Sequence, residues 1–567
     1  MAKTPNEKQS PEGDLREGAA ADAILKEDTA DTSQEDMLKG SAWMTAGSIF
    51  SRVLGAIYII PWMAWMGAYA LQANALFAKG YQIYAIFLTI STAGVPGAIS
   101  KQVAHYNAIN EYATGRKLFR HGMYLMIAMG VVSAAIFYFA APLLSAGDAR
   151  MIPVMHSLSW ALLLIPMMSI MRGFFQGYSK MAPSAISQFV EQLARVIYML
   201  VTAFLIMKVI HGSYVSAVSQ STFAAFIGAI FGLAVMMLYY LSQRKKLNLL
   251  SAGSYNRVDT STNELLIEII RQALPFIIMD SGINLFYLVD QYTFNPMLGH
   301  FMHIGRDQLD SYYALFAANA NKLIMITISL ATAMAVTAIP LLSAAHARHD
   351  VKKMSEQISN AIQMFCIIMI PSAFGMSAVA KPLYILFYGT QEYTSLGILL
   401  LEFSSYVSIL LGLFTILAAI LQGLYQNRTA IADLLIGLVV KFALQYPMIG
   451  IFHVFGPMIS TAIGFGIVSW LMLRQLNDKY HIRVRQTNHR LIGILVFTIL
   501  MVLGVKGTLW VLDLFMNPAF RAIDIIELVI AIIVGVAIYG YLILKTRLAD
   551  LILGARVGGL RRRLHIK

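Results

Sequence analysis

Apolar residues fill most of this chain in continuous runs of about twenty or more, separated by short polar loops. About twenty apolar residues wound as a helix cross the hydrocarbon core of a bilayer, so each run predicts a membrane span. Fourteen are predicted, at roughly 40–66, 73–98, 119–144, 153–173, 184–209, 215–241, 264–294, 311–343, 358–379, 394–421, 430–450, 455–474, 489–512 and 523–545. None shows the short alternating segments of a membrane β-barrel. The expected fold class is an all-α polytopic membrane protein, in which the longer runs tilt or protrude.

Composition agrees, since 58% of the residues are hydrophobic and 13% charged, which excludes an ordinary soluble globule. The start of the chain differs. Residues 1–39 hold ten acids against five bases, although the whole chain carries a net charge of +13. Residues 1–37 are expected to form a disordered acidic cytosolic tail. They lack the apolar core of a signal peptide. The bases gather in the short loops, which the positive-inside rule explains better than nucleic acid does. Nineteen Lys and Arg, among them Arg116, Lys117 and Arg120, fall in alternate loops, against six in the opposite ones. Both termini are therefore expected to be cytosolic. The basic tail at 546–567 reads as a topological stop signal that also suits anionic phospholipid headgroups. The one cysteine, Cys366, lies in an apolar run and is expected simply to pack.

An internal repeat sets the organisation. The stretch at 174–200 resembles that at 420–448, and aligning Gln176-Gly177 with Gln422-Gly423 gives an offset of 246 that places Arg195 over Lys441. An even number of spans per repeat implies parallel halves related by an axis along the membrane normal. The expectation is two pseudo-symmetric six-helix lobes at 38–241 and 264–474, a cytosolic linker at 242–263, and two additional transmembrane helices at 475–545.

Candidate chemistry lies in charges inside apolar spans. Such a charge costs on the order of 3 kcal/mol at the bilayer centre and usually faces a water-filled cavity or a partner. On span one, Ser41, Thr45, Ser48 and Arg52 share one helical face. A guanidinium there suits phosphate, or else satisfies a carbonyl or an acid. On span five, Glu191 and Arg195 are spaced i, i+4 for mutual neutralisation, an alternative to ligand binding. Lys441 has Gly437 where its repeat mate has Glu191, so it reads as the less compensated cation, with Gln445 one turn on. Span seven carries Asp280, Asn284, Tyr287 and Gln291 on one stripe with Asp290 beside it. Carboxylate and amide oxygens can hold Na⁺ or carry a proton, and a counter-charge to Arg52 would look the same. Lys322, on span eight with Asn319, reads as a snorkelling residue. There is no G-x-x-x-x-G-K-S/T loop, no H-E-x-x-H, no C-x-x-C and no G-x-S-x-G, so enzyme chemistry has no motif here.

The segments FSRVLG (50–55), VPGAISKQVAHY (95–106) and RGFFQGYSKMAPSAISQFVEQLARV (172–196), with the span count, resemble MurJ-type lipid-linked oligosaccharide flippases of the MOP superfamily. They resemble above all its Gram-positive polysaccharide biosynthesis branch, and the resemblance covers about 38–545. It implies a bacterial plasma-membrane transporter that moves an undecaprenyl-pyrophosphate-linked saccharide, the peptidoglycan precursor lipid II, from inner to outer leaflet by alternating access. The family's first-span arginine matches Arg52. A second arginine, common six residues later, is Tyr58 here, and Arg195 and Lys441 partly supply the missing charge. Ser48 and Gln445 join them as expected substrate contacts. Asp290, with Asn284 and Asp280, is the expected coupling site for Na⁺, H⁺ or the membrane potential, with no cofactor. Expected partners are the lipid-linked saccharide, anionic phospholipids and cell-wall synthesis proteins, without nucleic acid. Three other readings stay open: a flippase for an exopolysaccharide or teichoic-type unit, a cation-coupled drug exporter, and a non-transporting scaffold. A basic cavity and two extra spans disfavour the exporter, and the cost of intramembrane charge disfavours the scaffold.

Overall fold

The computed structural model describes residues 54–55, 57–92, 95–254, 274–275, 277–347, 350–515, 521–553 and 561. Among them the regular elements are all helical. In chain order the main helices are α1 (Ile59–Met66), α2 (Ala70–Thr92), α3 (Val95–Ala108), α4 (Tyr112–Phe139), α5 (Met151–Gly177), α6 (Ala182–Phe204), α7 (Tyr214–Ala252), α8 (Gly282–Met302), α9 (Arg306–Tyr313), α10 (Asn321–Ala347), α11 (Val351–Ala378), α12 (Ala380–Tyr388), α13 (Thr394–Gly423), α14 (Asn427–Phe452), α15 (Gly456–Tyr480), α16 (Val484–Phe515), α17 (Arg521–Lys545) and α18 (Leu548–Leu553). Among the described residues, 11 helical runs are long and apolar enough to cross a membrane. Two of them, Ile59–Ala108 and Asn427–Tyr480, hold 50 and 54 residues, enough for two crossings each. The second is broken at His453–Phe455, where α14 gives way to α15. The runs thus fall short of the expected fourteen mainly where neighbouring spans merge, and parts of predicted spans one and seven lie outside the described residues.

The chain divides into two compact units. Of the described residues, the first takes those up to Tyr58 and those within Tyr84–Ile277, and the second takes Ile59–Ile83 and those from Ile278 onward. The expected lobes assigned residues 59–83 to the first half. They belong to the second because their polar side chains bond to α9 and to the π-helical turn Ala314–Ala320 that follows it. The unit boundary therefore falls within α2.

In the first unit, Ile99 and Val103 of α3, Leu118 of α4 and Phe174 of α5 are almost wholly buried and form the centre of the core. Phe119 stacks on Phe174 with ring centroids 4.2 Å apart. α7 has 39 residues, which at 1.5 Å per residue is roughly 58 Å, about twice the hydrocarbon core of a bilayer. The expected linker at 242–263 is consequently helical as far as Ala252.

The two segments aligned as a repeat share a backbone turn. Ser179 and Tyr425, 246 residues apart, both take φ of 58°, a left-handed conformation rare outside glycine. Around them the turns make matching bonds. The Ser179 and Lys180 amides donate to Gln176 and Phe175, and those of Tyr425 and Gln426 donate to Gln422 and Leu421. α5–α6 and α13–α14 are thus joined by the same turn.

Candidate functional site

In the second unit, α8, α14 and α15 converge on one buried charge pair. Lys441 Nζ lies 2.8 Å from Asp290 Oδ1. An ammonium has three donors, and the other two reach Thr461 Oγ1 at 2.5 Å and the Pro457 carbonyl at 3.3 Å. Gln445, one turn beyond Lys441, donates to Asp290 Oδ1 at 2.9 Å and to Thr293 Oγ1 at 3.1 Å, and Ser460 donates to its carbonyl oxygen at 2.6 Å. Lys441, Gln445 and Ser460 have no exposed surface, and Asp290 is 3% exposed. The network is close to fully satisfied, which is what makes two buried charges tolerable.

The helix packing explains the arrangement. A methyl group at Gly437 would lie 2.9 Å from the Gly464 carbonyl and would collide with Val468; one at Gly464 would lie 3.0 Å from the Gly437 carbonyl. α14 and α15 thus meet backbone to backbone, as small residues allow in membrane helices. Phe286 of α8 stacks on Phe465 of α15 with centroids 4.0 Å apart and closes the third side. No side chain fits at 437, so the acid that neutralises Lys441 comes from α8.

This corrects three expectations. Lys441 is not the less compensated cation, and in this arrangement it has no donor left for a substrate; nor has Gln445 a free amide hydrogen. Asp280, Asn284 and Asp290 do not share a cation cage: Asp280 is exposed and ten residues from Asp290, roughly 15 Å along a helix. Finally, Thr461 and Pro457 turn their oxygens to the Lys441 ammonium, so the place among them beside Asp290 Oδ1 is held by a cation of the chain itself. A neighbouring cavity of about 30 Å³, lined by Tyr287, Asp290, Ser404 and Thr461, has room for water and not for a saccharide. Beside it Gln291 is 7% exposed, and neither of its amide atoms has a hydrogen-bond partner among the described residues.

A second buried network was missed by sequence reasoning. Lys79 of α2 pairs with Asp310 of α9 at 2.5 Å, with side chains 7% and 4% exposed. Asn295 donates to the same carboxylate oxygen at 2.8 Å. Nearby, Asn74 donates to Asn319 at 2.5 Å, and Asn319 donates to the Tyr384 hydroxyl at 2.8 Å. Lys322 donates to Asn74 at 2.7 Å and sits 5.0 Å from the Phe77 ring centroid, so it turns inward and does not snorkel. A lysine inside predicted span two was the available signal for Lys79.

In the first unit, Glu191 is bound by Arg172 of α5 at 2.8 Å, and Arg172 also donates to Ser187 at 2.8 Å. A neutralising base for Glu191 therefore comes from the preceding helix. Arg195 is half-buried on α6, where a methyl at Gly228 of α7 would come within 3.1 Å of its Cβ. Ser48 and Arg52 lie outside the described residues.

Comparison with known proteins places the chain. Residues 37–346, more than half of the chain, match the family model of polysaccharide biosynthesis proteins. The lipid II flippase MurJ of Bacillus subtilis (strain 168) is 35% identical over 93% of this chain and 98% of its own. The uncharacterized membrane protein YabM of the same organism is 24% identical over 89% of this chain and 92% of its own. Among solved structures, a lipid II flippase MurJ in an inward closed conformation matches with a TM-score of 0.61 at 14% identity, over 90% of this chain and 99% of that one. An inward-facing multidrug resistance MATE family transporter of the MOP superfamily matches with a TM-score of 0.59 at 14% identity, over 75% and 94%. The fold is shared with these transporters, and with a family match across most of its first half and a relative alike from end to end, this chain belongs to the polysaccharide biosynthesis protein family.

Proposed function

We propose that this protein is a flippase that carries lipid II, the undecaprenyl-pyrophosphate-linked peptidoglycan precursor, from the inner to the outer leaflet of the bacterial plasma membrane. The observation that carries this reading is the 35% identity to the Bacillus subtilis lipid II flippase over nearly the full length of both chains. The helical transporter fold supports it, as does the bias of the loop charges, which the positive-inside rule reads as cytosolic termini. Arg52 is the cation proposed to meet pyrophosphate. The Lys441 ammonium is proposed to stand in for a coupling Na⁺ at Asp290, leaving a proton or the membrane potential as the drive.

The test is complementation of a strain depleted of its own lipid II flippase. Wild type is expected to restore growth, and Arg52→Ala to insert normally and fail. Rescue by Arg52→Ala would remove Arg52 from the path. Failure of a well-inserted wild type would overturn the lipid II assignment in favour of another lipid-linked glycan. Rescue that requires external Na⁺ would refute the role given to Lys441.

A further inference from the structure

The first unit contains a cavity of about 600 Å³ between α4, α5 and α7, within the size range of small-molecule sites. Its wall on α4 carries Arg116, Lys117 and Arg120. Among the described residues, no carboxylate lines it. Arg116 and Arg120 are spaced i, i+4, where like charges repel unless an anion lies between them. The Arg116 guanidinium is held in place by Asn248 of α7, whose side-chain oxygen accepts from it at 2.5 Å.

The rest of the lining has the opposite character. Met167 and Met171 of α5 and Met237 of α7 form an apolar floor, and methionine adapts to irregular guests. The cavity reaches the protein surface, since Tyr124 and Met237 are 63% and 42% exposed. The cations stand at the start of α4, and the apolar residues of that span follow directly. In a membrane that is the level where headgroups give way to acyl chains. Basic pockets between helices at this level suit lipid phosphates.

We propose that this cavity is a binding site for an anionic phospholipid of the surrounding bilayer. Its phosphate is held by Arg116, Lys117 and Arg120, and its glycerol and upper acyl chains lie on the methionine floor. A free phosphate would leave that floor unused, and a neutral lipid would bring no net charge to three cations. The site belongs to the first unit alone and does not depend on the lipid II assignment.

The test uses the full chain in nanodiscs of phosphatidylcholine with a minor fraction of phosphatidylglycerol. Native mass spectrometry then counts the lipid retained after extraction into an uncharged detergent. Wild type is expected to retain phosphatidylglycerol. At about fivefold per cation near a headgroup, R116Q/K117Q/R120Q is expected to bind it on the order of 100-fold more weakly. Should the triple variant fail to fold, R120Q, at an exposed position, carries the test with about a fivefold loss. M171W fills the floor with the charges intact and is expected to weaken lipid retention as well. Unchanged retention by the α4 variants, or equal loss from R244Q/K245Q, would mean diffuse surface attraction and overturn the site. Inorganic phosphate that displaced the lipid and bound M171W as tightly as wild type would also overturn it, by showing a soluble-anion site.

Discussion

Replacing Lys441 by methionine isolates the energetics of the central network. The change keeps most of the side-chain volume and removes the ammonium, leaving Asp290 3% exposed with Gln445 as its remaining donor. Removing one partner of a buried pair costs about 3–5 kcal/mol, because the other charge stays buried without compensation. Asp290→Asn should cost a similar amount by stranding the ammonium. Lys441→Met/Asp290→Asn, with no charge left, should recover most of the loss, since apolar replacement of a whole buried pair is often neutral. The assay is reversible unfolding of the purified full chain in mixed detergent micelles, analysed as a double-mutant cycle with an expected coupling of at least about 2 kcal/mol. Lys441→Ala adds a second arm. It vacates a site bounded by Asp290 Oδ1, Thr461 Oγ1 and the Pro457 carbonyl, so Na⁺ should raise the stability of that variant and leave wild type unmoved. Additive single mutants, or a Lys441→Met variant within about 0.5 kcal/mol of wild type, would refute the reasoning.

Lys79→Met breaks a second buried pair and should destabilise by about 3–5 kcal/mol in the same assay, with Asp310→Asn restoring much of it; an effect under about 1 kcal/mol, the range of exposed pairs, would contradict the burial. Gly437→Val forces a side chain into the contact between α14 and α15 and should cost at least about 1–3 kcal/mol, read as lowered thermal stability of the purified protein. Gln291→Leu removes a buried amide with no partner among the described residues and should stabilise by about 1–3 kcal/mol; a loss of stability would reveal a partner for the amide.

The chain's own pattern determined the class of the molecule. The length of an apolar run and the helical winding that satisfies its backbone in lipid are local properties, so membrane helices could be read directly. The Gln-Gly pairs that suggested a repeat, 176–177 and 422–423, stand before matching turns, in which Ser179 and Tyr425 share one left-handed conformation. That Asp290, Gln445 and Lys441 stand out was legible too, because charge and amide inside an apolar run are conspicuous. Their pairing was not. Lys441 finds its acid 151 residues away and Lys79 finds its own 231 residues away, so only the packing of α8 against α14, or of α2 against α9, could decide it. Stripe reasoning on one helix grouped Asp280 and Asn284 with Asp290, whereas the partners that matter came from two other helices. Residues 59–83 likewise read as part of the first half until their side chains bonded into the second unit. Helix identity is settled by near neighbours along the chain, whereas the partner of a buried charge is settled by which helices meet, and that is a property of the tertiary structure alone.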